Sequence, residues 1–190
     1  MGGVIDNTDK DYLDTPVLMH VKARLPWLLV LMVSYVFTGG MIASFEKSLS
    51  AVIALVAYMP MLMGTGGNSG TQSSTVIITG MATGDLELSD VLRVLWKEFR
   101  IGIIVGICVS ILNYMRIVAF DHNGSLVALT VCLSMVLIVI IAKCVGALLP
   151  MIAKKIGIDP ALIAGPMMAS LTDMVALGTY FTMARLVLKI

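Results

Sequence analysis

Long apolar stretches separated by short polar segments dominate the pattern of this 190-residue chain. A membrane-spanning helix needs about 20 mainly apolar residues in a row, and five stretches reach that length. The pattern therefore predicts an all-α membrane protein with five transmembrane helices per subunit. Their approximate ranges are Leu25–Ser44, Leu49–Met81, Ile101–Phe120, Leu126–Ile152 and Pro160–Leu188.

Composition supports a lipid environment. Hydrophobic residues make up 58% of the chain and charged residues 13%, whereas soluble domains are about half apolar and a quarter charged. The formal net charge of +1 comes with no basic face or aromatic platform, so no nucleic-acid partner is expected. The three cysteines all lie inside apolar runs, which is typical of small buried hydrophobic residues.

Lysine and arginine positions indicate an orientation. The N-terminal tail and the segments 82–100 and 153–159 hold eight of them, and the opposite set of connections holds four. Cytoplasmic loops carry the excess of positive charge. We therefore expect a multi-pass protein of the cell membrane, with its N-terminus in the cytoplasm and its C-terminus outside.

Two polar segments outside the apolar stretches carry further predictions. Residues 1–15 are acidic and poor in apolar residues, so they predict a polar tail, or the end of a longer segment, before a membrane domain over 16–190. Residues 82–100 place apolar side chains at helical spacing after Ser89, a suitable N-cap. This predicts an amphipathic interfacial helix before the third span, which serves either as an anchor or in gating.

A Gly-rich segment lies inside the second apolar stretch. Gly64, Gly66, Gly67 and Gly70 fall within seven residues, which predicts an interruption of that helix. Broken backbone is tolerated in lipid only where protein or a water-filled cavity satisfies it. Neighbouring polar side chains would offer hard oxygen ligands or partners for hydration water, and they favour a pore lining. Close helix packing through small residues is the alternative. These polar residues are Asn68, Thr71, Gln72 and Thr75.

Asp173 is the second candidate. Asp159 and Pro160 suit the start of a helix, and Pro166 next to Gly165 predicts a bend within it. Asp173 then lies 13 residues beyond Pro160, about 20 Å along the helix and near the bilayer centre. A carboxylate there costs about 2.5–3.5 kcal/mol or more, so it needs a cation, water or a partner. Lys143 is the one candidate for a structural partner.

The ligand types point to a hard cation. No Cys/His cluster supports Zn²⁺ or Cu⁺. Mg²⁺ keeps much of its hydration shell, so a wide site with one carboxylate from each of two subunits suits it. Five helices are few for a complete pore, which favours a homodimer. An intramembrane aspartyl protease is one alternative to a transporter, but it needs two close carboxylates and one chain offers only one central acid. A non-transporting scaffold is another alternative, and it would tolerate Asp173→Asn.

The sequence resembles a known family in both the Gly-rich segment and the segment that contains Asp173. Residues 60–73, PMLMGTGGNSGTQS, resemble the second transmembrane helix of the MgtE family of magnesium channels and transporters. Residues 159–173, with Tyr180 and Phe181 after them, resemble its fifth helix. The resemblance covers roughly residues 16–190.

The resemblance implies a homodimeric pore lined mainly by the second and fifth helices. Its central aspartate, which holds hydrated Mg²⁺, matches Asp173, and Ala169 is a neighbouring metal-site position. Other pore-lining candidates are Gly66, Gly67, Asn68, Gly70, Gln72, Gly165 and Thr172. Mg²⁺ is expected as the transported ion, with Mn²⁺, Co²⁺ or Ca²⁺ as further candidates, and no organic cofactor or enzymatic activity is expected.

Two questions stay open at this point. Typical family members also carry a cytosolic helical domain and a CBS pair that close the pore, and these 190 residues contain neither. Gating is then absent, simpler or supplied by other parts. Eukaryotic relatives in the solute-carrier class are proposed to exchange Mg²⁺ for Na⁺. A Na⁺- or H⁺-coupled exchanger that uses the same site is therefore the alternative to a passive pathway.

Overall fold

The computed structural model describes residues 12–13, 15–46, 53–121, 124–163 and 165–189. This part of the chain is helical and contains no strand, so the all-α prediction is confirmed. Five helices are long and one, α5, has only four residues. The helices are α1 Val17–Ser44, α2 Ala54–Thr83, α3 Val91–Arg116, α4 Ser125–Lys155, α5 Pro160–Ile163 and α6 Pro166–Leu188.

Four helical segments are long and apolar enough to cross a membrane. They are α1, α3 with its flanking turns over Leu88–Asp121, α4, and Met167–Leu188 of α6. Helix α2 has 30 residues, about 45 Å at 1.5 Å per residue. Its glycines, serines and threonines lower its mean hydropathy, and for this reason it does not belong to this group. The chain is thus a multi-pass membrane protein, and a fifth crossing by α2 stays a prediction.

The predicted interruption of the second helix is wrong. Helix α2 runs without a break from Ala54 to Thr83, straight through the Gly-rich segment. The reason lies in its neighbours, because a Cβ atom added to Gly146 of α4 would overlap the backbone carbonyl of Gly70. Small residues let helices approach this closely in membranes. The glycines therefore serve a helix crossing, and the helical hydrogen bonds are kept.

A break is found in the fifth span instead. Helix α5 begins at Pro160, and the backbone N–H of Ala161 donates to the Asp159 carboxylate at 2.9 Å, which confirms the predicted start. Gly165 has the non-helical angles φ −103° and ψ −109°, and α6 begins at Pro166. Proline is tolerated at the first helical position because it has no N–H to leave unsatisfied there. The bend predicted at Pro166 is thus a full break between two helices.

The predicted interfacial helix is not a separate element. One 3₁₀ turn over Leu88–Asp90 leads directly into α3, which continues to Arg116. A capping box closes the start of this 3₁₀ turn, in which the Glu87 N–H donates to the Asp90 carboxylate at 3.2 Å. Ser89 therefore does not act as the N-cap. The amphipathic pattern and the third span are two parts of a single helix.

Helix α4 forms the centre of the bundle. It packs against α2, α3 and α6, whereas α1 packs mainly against α6 and is largely exposed. The main core lies among α2, α4 and α6 and includes Leu55, Leu62, Ile138, Tyr180 and Phe181. The N-terminal end of α2 is also fixed to the turn after α3, because the Tyr58 hydroxyl donates to the Asp121 carboxylate at 3.0 Å.

Replacing Tyr180 by phenylalanine should destabilise the bundle modestly. The buried Tyr180 hydroxyl donates to the backbone carbonyl of Leu55 at 2.9 Å and joins α6 to α2. We expect the free energy of unfolding to fall by about 0.5–1.5 kcal/mol, the net contribution of one hydrogen bond. Denaturant titration of the purified protein in detergent measures this change. Tyr114→Phe is the control, because Tyr114 is exposed, and an equal loss in both variants would contradict the prediction.

Candidate ion site

A stripe of polar side chains follows one face of α2. Asn68, Thr71, Gln72 and Thr75 are spaced by three, one and three residues, and all four are exposed in the single chain. The Thr75 hydroxyl donates to the backbone carbonyl of Thr71 at 2.9 Å, so this hydroxyl hydrogen is satisfied within the helix. The amides of Asn68 and Gln72 have no such internal partner among the described residues. Bare amides are costly against lipid, so this face needs water or another protein surface.

Asp173 lies on α6, at the eighth of its 23 residues. Its side chain is half-buried. The ion pairs found among the described residues are Arg93–Asp90 and Arg116–Asp121, so Asp173 is not paired with Lys143. A carboxylate within a spanning helix, without a protein partner in the part of the chain described, needs water or a cation.

The two candidate segments meet directly. A Cβ atom added to Gly67 would lie 3.7 Å from the Thr172 hydroxyl oxygen. Gly67 precedes Asn68 in α2, and Thr172 precedes Asp173 in α6. The contact therefore places the polar stripe and the carboxylate at the same level of the bundle, on neighbouring helices.

The other candidates fall into two groups. Gly66, Gly70 and Thr172 are buried at the contact of α2 with α4 and α6. The Thr172 hydroxyl donates to the backbone carbonyls of Met168 at 2.8 Å and Ala169 at 2.9 Å, so it is satisfied within its own helix. Gly67, Ala169 and Gly165 are partly exposed, and Ala169 precedes Asp173 by about one turn of α6.

Two charged residues are buried in the bundle: Lys143, named above as a possible partner of Asp173, and Glu98, which the sequence analysis missed. Glu98 of α3 is 7% exposed and accepts a hydrogen bond from the Ser73 hydroxyl of α2 at 2.5 Å. Lys143 of α4 is 5% exposed. The sequence does contain a signal for Glu98, because Val94, Glu98 and Gly102 recur every four residues along the buried face of α3.

The donor set suits a hydrated cation better than a fully ligated one. No group of three or more His, Cys, Asp or Glu side chains lies close enough to hold a metal ion in the described ranges. One carboxylate next to amide and carbonyl oxygens matches the way in which Mg²⁺ is held, through one or two carboxylates and several waters. A single chain supplies only half of the charge that a divalent ion requires.

Comparison with known proteins identifies close relatives. A family model described as MgtE, divalent cation transporter, matches residues 59–183. The magnesium transporter MgtE of Thermus thermophilus is 40% identical over 187 residues, which cover 98% of this chain and 41% of that protein. The magnesium transporter MgtE of Bacillus subtilis is 33% identical over 192 residues, which cover 95% and 42%. The chain thus spans about two fifths of the length of these relatives.

Proposed function

Since the chain belongs to the MgtE family of divalent cation transporters, we propose that it carries divalent cations, chiefly Mg²⁺, across the cell membrane. The observation that carries this proposal is Asp173, a half-buried carboxylate on a spanning helix that forms no ion pair with any described residue. The family match also supports a transporter over an intramembrane enzyme.

The pore we propose lies between two copies of the chain. The exposed amides of Asn68 and Gln72 cannot remain against lipid, and a second copy would enclose them around water. Two Asp173 carboxylates around a two-fold axis would balance the charge of one divalent ion. The ion would keep its inner waters and be held through them. Gly67, Ala169 and Gly165 would leave room for this hydration shell, while Gly66, Gly70 and Thr172 would support the pore wall from behind.

The topology we propose has all five long helices crossing the bilayer. Helix α2 crosses with them because it packs along α4 over its length and would face the pore with its polar stripe. The excess of lysine and arginine puts the N-terminus in the cytoplasm and the C-terminus outside. Mn²⁺, Co²⁺ and Ca²⁺ are further candidate ions, because the same oxygen ligands suit them.

Mg²⁺ uptake into proteoliposomes tests this function. Purified protein is reconstituted at a negative inside potential with a Mg²⁺-sensitive dye in the lumen, and empty liposomes are the control. Uptake without any other gradient supports a passive pathway. Uptake that requires an opposing Na⁺ or H⁺ gradient supports the exchanger alternative. No uptake above that of empty liposomes under any gradient contradicts the proposal.

A further inference from the structure

A cavity of about 960 Å³ lies between α2 and α3, with α4 behind it. Helices α2 and α3 both pack on α4 but scarcely on each other, so a gap separates them. The hydrogen bond from Ser73 to Glu98 bridges this gap. The polar stripe of α2 forms part of the cavity wall, and Glu98, Lys97 and Lys143 add three charged side chains to it.

Lys143 is the unusual group in this wall. It is 5% exposed and lines the cavity, and no hydrogen bond or ion pair satisfies its ammonium group within the described ranges. Its ammonium nitrogen is not among the buried polar atoms without a partner, so it opens into the cavity, where within a membrane it needs water or an anion. Glu98 does not compensate for it, because no Lys143–Glu98 ion pair forms and one carboxylate oxygen of Glu98 already accepts the Ser73 hydroxyl.

The charge of the wall favours an anion. Two lysines and one glutamate leave a formal charge of +1, opposite in sign to the Asp173 site. The two ammonium groups would repel a divalent cation, so the part of the cavity around Lys143 and Lys97 is unsuited to hold the transported ion. The ammonium groups of Lys143 and Lys97 are both hydrogen-bond donors, as a phosphate group requires.

The rest of the wall is apolar, and its α3 side lies beside residues that are typical of a membrane interface. Val76, Ile77, Leu86, Val94 and Ile101 form its apolar part, which suits an acyl chain. Trp96 and Arg100 lie on α3 beside Lys97, with the Arg100 guanidinium 5.7 Å from the centre of the Trp96 ring. Tryptophan and arginine are typical of the headgroup region of a bilayer.

We propose that this cavity binds one anionic phospholipid. The phosphodiester of the headgroup lies between Lys143 and Lys97, and an acyl chain follows the apolar wall between α2 and α3. The lipid satisfies the buried lysine and fills the gap that the protein leaves open. A bound lipid at this place also holds the polar stripe of α2 at a fixed distance from α3.

Native mass spectrometry of the purified chain in a non-ionic detergent tests this proposal. Palmitoyl-oleoyl phosphatidylglycerol is titrated against phosphatidylcholine with the same acyl chains, and the fraction of lipid-bound protein gives each apparent Kd. We expect a preference for phosphatidylglycerol that Lys143→Gln weakens by about tenfold. Lys155→Gln is the matched control, because Lys155 is an exposed lysine of α4 outside the cavity wall.

A second variant keeps the test decisive if Lys143→Gln fails to fold. Glu98→Gln keeps the shape of the side chain and removes the negative charge from the wall, so phosphatidylglycerol should bind several-fold more tightly. Weaker binding in Glu98→Gln, equal binding of the two lipids by the wild type, or equal losses in Lys143→Gln and Lys155→Gln would each overturn the proposal. Inorganic phosphate that displaces the lipid at millimolar concentration would also overturn it, because the site would then recognise free phosphate.

Discussion

Asp173→Ala is expected to reduce Mg²⁺ uptake to the level of empty liposomes. The substitution removes the only carboxylate of α6, and the pore we propose would lose both of its negative charges. Asp173→Asn keeps the size of the side chain and one oxygen ligand but also removes the charge. We therefore expect the Asn variant to lose at least about tenfold in uptake, because a charged ligand contributes more than about 1.4 kcal/mol to holding a divalent ion. Uptake by reconstituted protein measures both changes.

The thermal stability of the same variants separates a role in ion binding from a role in folding. A carboxylate within a spanning helix costs up to about 2.5–3.5 kcal/mol on insertion scales, so its removal should leave the thermal midpoint in detergent unchanged or higher. Loss of uptake at unchanged stability would identify Asp173 as an ion ligand. Asp85→Ala is the control, because Asp85 is an exposed carboxylate in the turn after α2. Full uptake by Asp173→Asn would contradict the pore and favour a structural role.

The sequence was sufficient for the features that depend on local chemistry. Apolar length predicts the spanning helices α1, α3, α4 and α6, and the Asp159–Pro160 pair predicts a helix start that the structure confirms. The resemblance at residues 60–73 and 159–173 is confirmed by the family match over 59–183. Each of these features is set by a few neighbouring residues or by the mean apolarity of a segment, so no knowledge of packing is needed.

The features that depend on packing were not predictable in the same way. Glycine costs about 1 kcal/mol in a helix in water, which favours a break in α2, yet Gly70 and Gly146 meet at a crossing that keeps the helix continuous. Glu98 and Lys143 lie in a cavity that exists only because α2 and α3 both pack on α4. The start of the predicted second span, residues 49–52, and the tail over residues 1–11 lie outside the described part of the chain.

Gly146→Ala is expected to be the most destabilising small substitution in the bundle. The added methyl group would overlap the carbonyl oxygen of Gly70 and lie 2.9 Å from its carbonyl carbon, both of which are backbone atoms. Helices α2 and α4 must then separate, because no side-chain rotation can relieve the clash. Overpacking of this kind costs about 1–3 kcal/mol and sometimes more. Thermal unfolding in detergent should show a lower midpoint than that of the wild type.

Gly64→Ala is the matched control on α2, because nothing lies within 4 Å of a Cβ atom at that position. Alanine has the higher helix propensity, by about 1 kcal/mol, so this variant should be as stable as the wild type or more stable. The crossing also sets where α2 lies relative to α6, since Gly67 and Thr172 meet just beyond it. Gly146→Ala should therefore also reduce Mg²⁺ uptake, although it touches no proposed ligand. Equal midpoints for the two variants would show that α2 and α4 are not held together at this crossing.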